Sequence, residues 1–109
     1  MTKVKIVKQN NKIKEVECDG HTGYGVYGED IVCASLSSVV QTALLGLLVV
    51  AGINVDVSRL DERGYLKFTI SDNLSGDQEI KANAILDTML CGISDLVEGY
   101  SDFIELEVI

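Results

Sequence analysis

The sequence predicts an α+β fold: a two-layer sandwich whose mixed sheet carries two helices on one face, in the order ββαββαβ. Three observations predict it. Two pairs of short alternating stretches, each joined by turn-forming residues, read as hairpins. Two longer stretches carry apolar residues at helical spacing, and a final alternating stretch closes the chain. With 109 residues, one domain spanning 1–109 is the expectation.

Val4 and Ile6 alternate with Lys3 and Lys5, the pattern of a half-buried strand. Gln9-Asn10-Asn11 supplies turn chemistry, and Ile13 to Cys18 resumes as the second strand. From Gly20 to Gly28 there are four glycines, which read as a mobile loop. Asp30 then stands at an N-cap position before a long helix from about Ile31 to Ala51, which Gly52 ends. Ile53, Val55 and Val57 form a third strand, paired with Leu66, Phe68 and Ile70 across a turn at Glu62-Arg63-Gly64. A second helix, from about Asp77 to Glu98, carries Ala82, Ile85, Leu86, Met89, Ile93, Leu96 and Val97 on one stripe, with Gly99 as its C′ residue. Ile104, Leu106 and Val108 alternate with glutamates as the last strand.

Charge excludes two classes of partner. Nine Lys and Arg against 17 Asp and Glu give −8, which argues against a phosphate-backbone reader or an anionic lipid surface. Apolar residues make up 47% of the chain and proline is missing, so a disordered tail is excluded as well. Residues Ile31 to Val55 contain no charge and are long enough to cross a bilayer. Their flanks are acidic, however, and their first half carries Ser35, Ser37, Ser38, Gln41 and Thr42, so a buried helix is the better reading. No signal peptide precedes the first strand, and the cytoplasm is the expected location.

Cys18, Cys33 and Cys91 are odd in number, have unrelated spacings, and are accompanied by one histidine, His21. That arrangement suits neither a structural metal site nor a disulfide framework. Cys33 is different from the other two. It falls in the first turn of the expected long helix, just after the glycine loop that contains His21. A helix N-terminus favours the thiolate, an imidazole takes its proton, and free N–H groups at Cys33 and Ala34 would hold an oxyanion. Cys18 on a strand and Cys91 on the second helix read as core residues.

His21-Thr22-Gly23-Tyr24, then Gly28, then Asp30-Ile31-Val32-Cys33-Ala34 and Ser37, resembles the signature of the ribosomal-processing cysteine protease family, also called Prp or YsxB-like. The signature covers about a sixth of the chain, and the element order is compatible over the remainder. The resemblance implies a small cytoplasmic bacterial protease, homodimeric and without a cofactor. Its implied partner is the short N-terminal extension of the large-subunit ribosomal protein numbered twenty-seven, which such enzymes remove. It places the catalytic nucleophile on Cys33 and the general base on His21. Asp30 matches an acidic position that either orients the histidine or caps the helix, and Ser37 matches an assisting serine. Gly25 and Leu45 depart from the alanine and asparagine common in the family.

A basic ribosomal segment would be attracted to an acidic enzyme. Gly23, Tyr24, Tyr27 and Gly28 are expected to form a substrate loop, ordered and closed over the peptide when it binds. Two rivals stand beside the protease: a non-enzymatic peptide-binding or ribosome-associated module that holds a peptide on the sheet face or an edge strand, and a thiol redox sensor. The first tolerates serine at position 33, and the second forms a mixed disulfide there.

Overall fold

The computed structural model describes residues 1–20, 27–60 and 64–109. Strand β1 (Thr2–Gln9) turns back into β2 (Lys12–Asp19) through Asn10 and Asn11, both at positive φ of 54° and 64°. A two-residue turn with both residues left-handed matches the twist of the flanking strands, and asparagine tolerates that conformation. Helix α1 (Tyr27–Leu45) follows and continues through one wider π turn, Gly46–Val50. Strands β3 (Val55–Leu60) and β4 (Tyr65–Ile70) form the second hairpin, then come helix α2 (Gly76–Gly99) and strand β5 (Ile104–Val108).

The sheet order is β3-β4-β2-β1-β5. Its pairings are antiparallel except that β5 lies parallel to β1, so the sheet is mixed. Val4, Ile6, Val16, Cys18, Leu66, Phe68, Ile70 and Ile104 are buried on one face. The other face carries Lys3, Lys5, Glu15, Glu17, Lys67 and Glu105, with Lys67 Nζ 3.5 Å from Glu15 Oε1. Period-two alternation therefore separates core from solvent, and both helices cover the apolar side. The ββαββαβ sandwich is the observed fold.

The uncharged helix, expected to be buried, sets one face into this core and leaves Ile31, Leu45, Leu48, Val49 and Val50 exposed. Val32, Leu36, Val40, Ala43 and Leu47 are all buried, at the spacing of one helical face. At its end the Ala51 N–H donates to Gly46 O at 3.0 Å, and the Ile53 N–H reaches Leu47 O at 3.1 Å. The second bond spans one residue more than the usual closure, as the π turn requires. Gly52, at φ +65°, is the stop that the sequence expects.

Several boundaries differ from expectation, and strand β3 starts at Val55, leaving Ile53 outside it. Helix α1 starts at Tyr27, so Asp30 is its fourth residue and not an N-cap, and Tyr27 and Gly28 belong to the helix and not to a loop. Gly28 does not prevent the early start, since a glycine within a helix costs only about 1 kcal/mol. Helix α2 begins one residue earlier than expected, with Ser75 as N-cap in a capping box with Gln78. Gly99 lies inside its last turn; Tyr100 caps the helix, its N–H donating to Leu96 O at 2.8 Å.

Candidate active site

Cys33, on α1, shares a cleft with Thr2 at the start of β1 and Cys18 near the end of β2. The sequence places it in the first helical turn. Because the helix begins at Tyr27, Cys33 is instead one turn deeper, and its N–H and that of Ala34 serve carbonyls four residues earlier. Neither N–H is free for an oxyanion, and the dipole's effect has largely faded by the second turn. The helix N-terminus is thus removed from the account of this thiol.

The partner of Cys33 comes from elsewhere. Its half-buried Sγ lies 3.0 Å from the hydroxyl of Thr2, the residue that opens β1. Thr2 is buried, with 5% of its surface exposed, at an inward position that Val4 and Ile6 continue. One signal of it is visible in the sequence: a polar residue heading an otherwise apolar stripe.

The two residues line a cleft of about 210 Å³, smaller than the ~300–1,000 Å³ of typical small-molecule sites. One side chain of an extended peptide suits that size. The floor is apolar, from Leu36, Val40, Leu66 and Cys18, and Ser37, Gln41 and Arg59 stand among its walls. Ser37 lies one turn beyond Cys33 in the same cleft, exposed, and accepts a hydrogen bond from Gln41 Nε2 at 2.6 Å. The structure therefore brings Cys33 and Ser37 together. His21, Gly23 and Tyr24 lie outside the described residues, as does the expected substrate loop apart from Gly20 and its former ends, Tyr27 and Gly28.

The remaining cysteines divide. Cys18 is buried as expected, and burial, with Glu17 adding to it, pushes its thiol up to about 12. Cys91, expected in the core, is exposed. It falls between Met89 and Ile93, which are buried, and so points away from their stripe.

Cys18 carries a pH prediction. Its folded value of about 12 exceeds the ordinary 9.0, so the fold prefers the neutral thiol. Stability from this group is full below the ordinary value and is lost as pH rises towards about 12, because the unfolded chain ionises first. Tyr65, whose hydroxyl donates to Glu17 Oε2 at 2.6 Å and is also raised to about 12, acts in the same direction. The urea midpoint is expected to fall across that range, and Cys18→Ala, though less stable at neutral pH, is expected to show a shallower fall. Identical slopes for the two proteins would contradict this.

A half-buried thiol in a cleft sized for one peptide side chain, on an α+β sandwich, is the equipment of a small cysteine peptidase. The family model for the cysteine protease Prp matches residues 1–105. The chain belongs to the Prp cysteine protease family. A Staphylococcus aureus relative, the ribosomal processing cysteine protease Prp, is 29% identical over 100 residues, covering 92% of this chain and 91% of that one. The crystal structure of S. aureus Prp with a substrate peptide matches at TM-score 0.88, with 28% identity and full coverage of both chains. A second S. aureus structure, with a covalently linked product peptide, matches at TM-score 0.85 and 29% identity, again over both whole chains.

Proposed function

We propose that residues 1–109 act as one endopeptidase domain that removes the N-terminal extension of the large-subunit ribosomal protein numbered twenty-seven, with Cys33 as nucleophile and His21 as general base. The observation that carries the reading is Cys33 itself: among the described cysteines it alone is half-buried and lines the peptide-sized cleft. Cys18 lines the same cleft, but burial holds it neutral. The covalently linked product peptide in the S. aureus relative supports a thiol that bonds to its substrate.

In the reaction, His21 takes the Cys33 proton and the thiolate attacks the scissile carbonyl. The imidazolium then protonates the departing amine, and water releases the acyl group from sulfur. His21 is the sole histidine in the chain, so a Cys–His mechanism within one copy has to use it. Ser37 assists from the turn after Cys33, and Asp30 supports His21. With a net charge of −8, the enzyme attracts a basic ribosomal segment.

Two copies pair in the cytoplasm. A face bearing Leu45, Leu48, Val49 and Val50, all exposed, adjoins an apolar groove of about 620 Å³ between α1 and α2, and neither contains a charge. For an acidic chain this is the face on which a second copy meets least repulsion.

The test is incubation with the extended ribosomal protein and mass measurement of the product. The expected result is one new species, shorter by the extension. An unchanged mass at enzyme excess would reject this substrate.

A further inference from the structure

We infer that Thr2 is a positioning residue of the active site, holding the Cys33 sulfur in its reactive state while packing on Gly20. The inference rests on Cys33 being the nucleophile.

Thr2 is the one buried polar side chain among the described residues, and valine would fill the same space. Burying a hydroxyl without a partner is costly, so its presence at an inward strand position calls for a bond that repays it. That bond is to Cys33 Sγ, 3.0 Å away. A thiolate has no proton, so in the charged state the hydroxyl must be the donor. Donation to the charged form favours it, in the place left open by the helix N-terminus.

Thr2 is itself held rigidly. Its N–H donates to Phe103 O at 2.9 Å, and it pairs with Ile104 at the start of an interior strand. Across the hairpin it packs on Gly20, the residue before His21. A Cβ added to Gly20 would lie 2.5 Å from Thr2 Oγ1 and 2.7 Å from Cγ2. One side chain thus touches both the nucleophile and the last residue before the base.

The experiment compares Thr2→Val, which keeps the shape and removes the hydroxyl, with Thr2→Ser, which keeps the hydroxyl. Iodoacetamide labelling of Cys33 is followed against pH by peptide mapping, and kcat and KM are measured for extension removal. Thr2→Val is expected to melt no earlier than the parent. Its labelling midpoint moves upward by roughly one pH unit, and kcat falls about tenfold while KM barely moves, as loss of one hydrogen bond to a charged group implies. Thr2→Ser restores both quantities towards the parent. Should Thr2→Val fold poorly, Gly20→Ala serves, because the added methyl displaces the hydroxyl and is expected to move the midpoint in the same direction. A Thr2→Val labelling curve that overlays the parent, or a shifted curve with unchanged kcat, overturns the inference. Failure of the underlying mechanism reads differently: Cys33→Ser would then still cleave.

Discussion

Replacing Cys33 by serine is expected to reduce processing by roughly 10³-fold or more while leaving the fold in place. The substitution exchanges sulfur for oxygen at a half-buried position, and the serine hydroxyl retains a partner in Thr2, so stability changes by less than about 1 kcal/mol. Activity collapses for a chemical reason. A hydroxyl is far less acidic than a thiol, and an imidazole suited to a thiolate does not activate it. Extension removal and melting temperature, measured on the same preparation, check both halves. Normal turnover by folded Cys33→Ser protein would end the nucleophile assignment.

His21→Ala is the second large effect. A general base contributes about 10²–10⁴-fold, so a loss in that range is expected. It is also expected to move Cys33 labelling by iodoacetamide to higher pH, because the thiolate loses its imidazolium partner. The helix N-terminus is no longer available as a substitute, since α1 begins a turn before Cys33. Should the labelling curve of His21→Ala match the parent, the base has been wrongly identified and the Thr2 hydroxyl carries the activation alone.

Much of this was legible in the sequence, wherever one local rule acted without competition. The Asn10-Asn11 turn, the alternation of β1 and β4, and the Ala82-Leu86-Met89-Ile93 stripe each had a single physical reading, and each is observed. Misreadings arose where two rules competed. Gly28 suggests a loop, but a single glycine costs a helix only about 1 kcal/mol, and α1 runs from Tyr27. That shift of one turn altered the chemistry, since it committed the N–H groups expected to hold an oxyanion. Gly99 looked like a C′ residue, yet Tyr100 closes α2 without positive φ. Cys91 was drawn into the core by its residue type, whereas its angle around α2 places it outside.

The site itself was half legible. Cys33 follows from its place after the glycine loop and Ser37 from the family resemblance, and the two do share a cleft. Thr2 lies 31 residues from Cys33 in sequence, and no local pattern links them. Only the sheet order, with β1 interior and its first residue facing α1, brings them together.

Partial alkylation tests, without any substitution, whether the Cys33 thiolate cuts the peptide bond. Parent enzyme is treated with graded iodoacetamide, the labelled fraction of each cysteine is read by peptide mapping, and residual removal of the ribosomal extension is measured on the same samples. Activity is predicted to fall in direct proportion to unlabelled Cys33 and to reach zero with it, whatever the state of exposed Cys91, while buried Cys18 stays unlabelled. Processing that persists when Cys33 is fully alkylated would mean that another group cuts the bond.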